Sequence, residues 1–351
     1  MTRPPRPPRP PSIGAAGVAA SAALVVLSAG LVGCSGGPGT DAPAPSSSSA
    51  GSPGSPTASG PSGARPSAAP RLRVRQAGFR LPEPLGREAV VSVGHVAFVA
   101  GGLAGGDAST VTAYRVDLRR RRVTTLPSLP VPVHDTAGGR LGGRPLVIGG
   151  GNAAEQRVVQ AWGGRRWAVR GHLPGARSDL AAATVGGRVV VLGGYDGTRP
   201  AEPAILSSAD GRRWRRIGAL PVPVRYAALA TSHGAIWLFG GEVAGSERRE
   251  IQRVDPVTGR ARVVGRLPTS LGHAVALPLG GRILVLGGRT RPGTVTARMW
   301  WFDPRSGAVT AAGRLPHPLA DTAVARWGGR FFLLGGETPS LTRRVLELTD
   351  R

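Results

Sequence analysis

Val189-Val190-Val191-Leu192-Gly193-Gly194-Tyr195-Asp196-Gly197 is an unbroken apolar run closed by a glycine pair. A run of four without polar alternation suits a short strand buried on both faces, and paired glycines supply positive φ at low steric cost. The pattern recurs. Glycine pairs follow apolar runs at Gly101-Gly102, Gly149-Gly150, Gly193-Gly194, Gly240-Gly241, Gly287-Gly288 and Gly335-Gly336, and Leu-Pro pairs begin at Leu81, Leu129, Leu173, Leu220, Leu267 and Leu315. In all six copies the first Gly stands 20 residues after the Leu, as in 81 to 101 and 129 to 149. The Leu-to-Leu steps are 48, 44, 47, 47 and 48. A period in this range marks an array of like supersecondary units.

Each unit reads as strands. Gly186-Gly187, Gly280-Gly281 and Gly328-Gly329 precede the apolar runs and have the chemistry of hairpin turns. Upstream, small residues such as Ala181-Ala182-Ala183 make a strand able to pack near an axis. Downstream, Arg253-Val254-Asp255-Pro256-Val257-Thr258-Gly259 and Trp301-Phe302-Asp303-Pro304-Arg305-Ser306-Gly307 read as strand, turn, strand. That is four strands per unit, with no helical periodicity.

The unit resembles the kelch repeat: an apolar run ending in Gly-Gly, a later Asp turn, and a Trp (Trp167, Trp214) six residues before Leu-Pro. The Trp is missing from four copies, and the second copy has a short segment after Gly149-Gly150-Gly151. The resemblance covers about residue 71 to the end and implies an all-β, six-bladed kelch-type β-propeller, one four-stranded blade per repeat. The last copy stops after three strands at Val345–Asp350, while Leu72-Arg73-Val74-Arg75-Gln76 looks like the missing fourth. The N-terminal strand (about 71–76) is therefore expected to complete the last blade and cover two open edges.

Six residues after each Leu stand Arg87, Asp135, Asp179, Tyr226, His273 and Asp321. This register precedes the innermost strand, so the six are expected to ring one mouth of the central channel, either as polar lining of a wet channel or as a ligand site. Three Asp opposite Arg87 and His273 suit sugar hydroxyls or a cationic group. A metal fits a ring this wide poorly, and no metal site is expected. By the resemblance, residues after the glycine pairs (Tyr195, Glu242, Arg289, Glu337) belong to loops at the same face, and Arg225 matches an Arg common there. The site set is thus Arg87, Asp135, Asp179, Arg225, Tyr226, Glu242, His273, Asp321 and Glu337, with no catalytic residue assigned. The seven Trp read mainly as packing between sheets, although adjacent Trp300 and Trp301 point to opposite faces, so one of them is expected at the surface.

Composition bounds the rest. The 351 residues include Gly 54 and Pro 33, about a quarter of the chain, and Lys+Arg 45 against Asp+Glu 20 give a net +25. All the basic residues are Arg. A single Cys excludes a disulfide framework, a Cys-based zinc site and a thiol redox pair. That Cys follows a Pro-rich start with Arg3, Arg6 and Arg9 and an uncharged stretch from Ile13 to Val32, the form of a secretory signal. Leu31-Val32-Gly33-Cys34 resembles the lipobox of bacterial lipoproteins, which implies a signal peptide over 1–33, lipidation of Cys34 and an extracytoplasmic, membrane-anchored location. Residues 34–70 are Gly, Pro, Ser, Ala and Thr with few exceptions, a composition that cannot bury enough apolar surface to order. As a flexible tether they would span roughly 35 Å. Gly33-Cys34-Ser35-Gly36-Gly37 fits a serine-hydrolase pattern but lies where no strand-to-helix turn can support it.

The expected function is a binding module for a cell-envelope ligand: a cell-wall glycan, an anionic envelope polymer or a secreted protein. The charge left after signal removal, about +22, adds long-range attraction for anionic polymers or phospholipid headgroups. Nucleic acid is not expected, since the basic run Arg119-Arg120-Arg121-Arg122 reads as a turn without interleaved aromatics. No cofactor is expected, and the protein is taken as a monomer. The alternative is a sugar mutarotase or isomerase, because the kelch-type sialic acid mutarotase has the same architecture and such chemistry needs only a positioned carboxylate or His with an Arg. Galactose oxidase shares the fold, but its copper-radical cofactor needs a Tyr joined to Cys, and the expected mature domain has no Cys to give.

Overall fold

The computed structural model describes residues 70–350. The signal segment, Cys34 and most of the tether lie outside the described residues. Among those described there is no helix; the chain forms six four-stranded antiparallel sheets and three two-stranded ribbons. The sheets are the blades of a β-propeller. Their innermost strands are Ala89–Val93, Ala137–Leu141, Ala181–Val185, Ala228–Ser232, Val275–Leu279 and Ala323–Trp327.

Burial explains the composition of the second strands. Arg188–Leu192, Arg282–Leu286 and Arg330–Leu334 are each buried from their second residue on, since each blade packs between two neighbours. The same sandwiching buries both Trp300 and Trp301, at 6% and 3% exposure. The expectation that one of them reaches the surface is corrected: opposite faces of a propeller strand both meet another blade. Trp167 and Trp237 are buried too, and Trp237 packs against Phe302 with ring centroids 5.1 Å apart. The Leu of each of the six repeat Leu-Pro pairs is buried.

The glycine pair is a joint between blades. Gly193 and Gly194 adopt φ of 62° and 103°. A Cβ on Gly193 would stand 2.2 Å from the Val224 carbonyl oxygen of the following blade, and one on Gly194 would stand 2.5 Å from that of Ser178. Gly194 donates its N–H to Val224 at 2.9 Å, so the motif passes a hydrogen bond from one blade to the next.

The ring closes as expected. Leu72–Gln76 pairs antiparallel with Val345–Asp350, from Leu72 opposite Asp350 to Gln76 opposite Leu346. Glu347, fully buried at this seam, accepts Arg75 and Arg330 at 2.9 Å and Arg121 of the first blade at 3.0 Å. The third strands of the second and fourth blades bury Gln160 and Gln252, one position earlier in register than Glu347. Each amide bonds both N–H and C=O of the loop leading into its blade, at Val131 and Val222.

Candidate functional site

Just before each innermost strand the backbone turns left-handed. Arg87, Asp135, Asp179, Tyr226, His273 and Asp321 all have φ between 50° and 61°. Five of the six steps round the channel are closed by a hydrogen bond from one ring residue's N–H to the ring carbonyl of the preceding blade, at 2.9–3.0 Å. A left-handed conformation costs an L-residue roughly 1–2 kcal/mol, and Asp and His tolerate it better than most. The three Asp and His273 thus fit their backbone. Arg87 and Tyr226 gain nothing from theirs, so the reason for them lies in their side chains.

The six side chains converge on a cavity of about 140 Å³ at one mouth of the channel. They do not leave a wide ring; they cross-link. Arg87 reaches Asp135 at 3.3 Å and Glu337 at 3.1 Å. Tyr226 donates its hydroxyl to Asp135 at 3.1 Å and stacks on His273 with centroids 3.8 Å apart. Arg225 bonds Glu242 of its own blade through Nε at 3.1 Å and reaches Asp179 of the preceding blade at 3.4 Å. Arg289 bonds Asp321 at 2.9 Å and also Glu337. It stands directly after its glycine pair, in the register of Glu242 and Glu337, and its contacts place it with the site set.

His273 sits between two carboxylates, Nδ1 at 2.7 Å from Asp321 and Nε2 at 3.3 Å from Glu242. Donating to both requires both N–H groups, hence an imidazolium. Burial opposes that charge, but Asp321 and the two hydrogen bonds outweigh it and hold the His273 pKa up at about 9. The hydrogen bond from His273 in turn pulls Glu242 down to about 2. Asp321 also stays below its ordinary range, because His273, Arg87 and Arg289 together overcome its burial. The other side of the ring behaves oppositely. Burial, reinforced by Asp135, pushes Asp179 up to about 7, and burial likewise raises Asp135. The mouth therefore has a fixed-charge side around His273 and a protonatable side around Asp179.

The sequence reading missed Glu88. It lines the same cavity, is 5% exposed, and neither carboxylate oxygen has a hydrogen-bond partner. Burial, with a smaller push from Asp321, raises its pKa to about 8. The equivalent positions in the other blades are Thr136, Leu180, Ala227, Ala274 and Thr322, so no repeated polarity pointed to it. Among the described residues no group of three or more His, Cys, Asp or Glu is placed to hold a metal ion. Cationic side chains separate several of the carboxylates: Arg87 stands between Asp135 and Glu337, Arg225 between Asp179 and Glu242, and His273 between Asp321 and Glu242.

No family model matches this chain, and no curated protein matches it. Among solved structures it is similar to that of YjhT, with a TM-score of 0.66 at 16% identity, covering 77% of this chain and 95% of that one. At that identity the likeness concerns the fold alone: this chain folds as a six-bladed, kelch-type β-propeller.

Proposed function

We propose that the protein is an extracytoplasmic binding module, tethered to the membrane through Cys34, whose channel mouth takes a polyhydroxylated ligand from cell-envelope glycan. The observation that carries this reading is the ring itself. Six side chains from six blades are brought to one mouth by left-handed backbone, and they set donors (Arg87, Tyr226, His273) among acceptors (Asp135, Asp179, Asp321) around a cavity of about 140 Å³. Hydroxyl groups both donate and accept, so they suit a surface on which Arg87 and Arg225 stand beside Asp135 and Asp179. Tyr226 adds an aromatic ring at the same place. The test is a titration of cell-wall glycan fragments into the protein. Asp135→Ala with Asp179→Ala is expected to weaken binding at least tenfold, and unchanged affinity would remove the mouth from the account. Acylation at Cys34 is tested by radiolabelled fatty-acid incorporation, which Cys34→Ser should abolish.

A second reading, a sugar mutarotase, is favoured by one observation. Asp179 is held near neutrality beside Arg225 and Tyr226, where a carboxyl can both give and take a proton at an anomeric centre. Faster interconversion of sugar anomers, followed by NMR and lost in Asp179→Asn, would establish it; a rate equal to buffer would dismiss it.

A further inference from the structure

The innermost strand of each blade starts at the mouth, so the turns joining the first to the second strand and the third to the fourth lie on the opposite face. The five uninterrupted third-to-fourth turns each carry an exposed arginine: Arg120, Arg166, Arg213, Arg260 and Arg305. The acids of these turns are occupied internally. Asp117 accepts the Arg120 N–H at 2.8 Å, Asp210 those of Arg212 and Arg213 at 2.8 Å, Asp255 those of Val257 and Thr258 at 2.9 Å, and Asp303 that of Arg305 at 2.9 Å. Guanidinium groups, not carboxylates, therefore dominate what this face shows to solvent.

Two further observations bear on the partner. The face is grooved between blades, and the grooves are rimmed by arginine, over apolar walls in the larger of two. One of about 540 Å³ has Leu141, Trp162 and Val169 inside Arg144 and Arg212, and one of about 390 Å³ has Phe302 and Val263 inside Arg253 and Arg262. Val257, at the tip of the fourth blade's turn, is 78% exposed, next to Arg260. Secondly, the chain enters the propeller here. Pro70 lies against Gly280 in the fifth blade's first turn, and Leu72 pairs with Asp350 at this end of the sixth blade.

We infer that the face opposite the mouth docks on an anionic phospholipid surface, its arginines meeting headgroup phosphates and Val257 reaching the interface, so that the mouth opens away from the membrane. The inference rests on the tethered reading above for its location, while the docking itself depends only on the face. Arginine suits phosphate because its planar fork binds two oxygens at once. Turns that share one face let several arginines engage one flat bilayer, each contributing roughly fivefold in partition at low salt.

The test uses residues 71–351, which contain every sheet, the closing strand pair and the core described above, and which lack Cys34 and its acyl chain. Flotation with vesicles of phosphatidylcholine containing a quarter phosphatidylglycerol is expected to carry the protein at 50 mM salt and to lose it by 200 mM. Vesicles of phosphatidylcholine alone should not carry it. Arg120, Arg166, Arg213 and Arg305 changed together to Gln should reduce partition at least tenfold, and the same four changed to Lys should retain most of it. Changing Arg157, Arg199, Arg291 and Arg343 on the mouth side to Gln removes the same charge and should cost far less. Equal losses from the two Gln sets would overturn the assignment to this face, and binding to soluble poly(glycerol phosphate) without vesicle binding would overturn the lipid surface. Glycan binding at the mouth is read separately, so either proposal can fail while the other stands.

Discussion

The mouth and the opposite face use the same two residue types in contrary ways. At the mouth, arginines and carboxylates are spent on each other: Asp321 holds His273 and Arg289 while almost wholly buried. On the far face, each Asp is spent on its own turn, and the turn arginines stay exposed, Arg120 even while pairing with Asp117 at 3.2 Å. The net +25 of the whole chain describes neither region. What differs is burial, which makes pairing compulsory at the mouth and dispensable at the turns.

The sharpest break in this comparison is to remove an Asp from each region. Asp321→Ala takes from His273, Arg289 and Arg87 the buried carboxylate they share and should cost about 3 kcal/mol in chemical denaturation. Asp303→Ala, which loses turn hydrogen bonds in water, should cost about 1 kcal/mol. Equal costs would mean that the mouth network is not a unit.

Glu88→Thr should act in the other direction. The unfolded Glu88 ionises near 4.5 and the folded one near 8, so the folded state loses stability as pH rises between these values and loses no more above them. Replacement by the residue that stands at this position in the second and sixth blades should leave stability at pH 4 little changed. At pH 8 it should raise Tm by several degrees. Loss of stability at pH 8 would show that the carboxylate has a partner.

His273 contributes a smaller pH effect. Its folded pKa, about 9, exceeds its unfolded value of 6.5, so the stability it lends is complete below pH 6.5 and lost as pH rises through 9. An NMR titration of its imidazole should find a midpoint near 9; a midpoint near 6.5 would separate it from Asp321. The smallest effect belongs to the far face, where Arg166→Gln should move stability by no more than about 0.5 kcal/mol.

How much of this could be read beforehand follows from the periodicity. The Leu-Pro to Gly-Gly offset exposed the blades because every copy obeys the same packing, and the ring residues stood out because six copies share one polar register. Glu88 was invisible, since its counterparts include Thr136, Leu180 and Ala227 and the signal averages away. The ion pairing was also hidden. Arg225, Arg289 and Glu337 share loops with the ring, but only the closed circle brings Arg87 of the first blade to Glu337 of the sixth. Trp300 and Trp301 misled because strand alternation predicts one exposed face, a rule that fails for a blade between two others. Backbone strain at Arg87 and Tyr226 left no trace in composition.

The most direct test of the mouth as a binding site is a crystal of the protein soaked with cell-wall glycan fragments. The account predicts density over the 140 Å³ cavity, within hydrogen-bond reach of Asp135, Asp179 and Tyr226. Density confined to the outer strands or the arginine-lined grooves, with the mouth network unchanged, would contradict it.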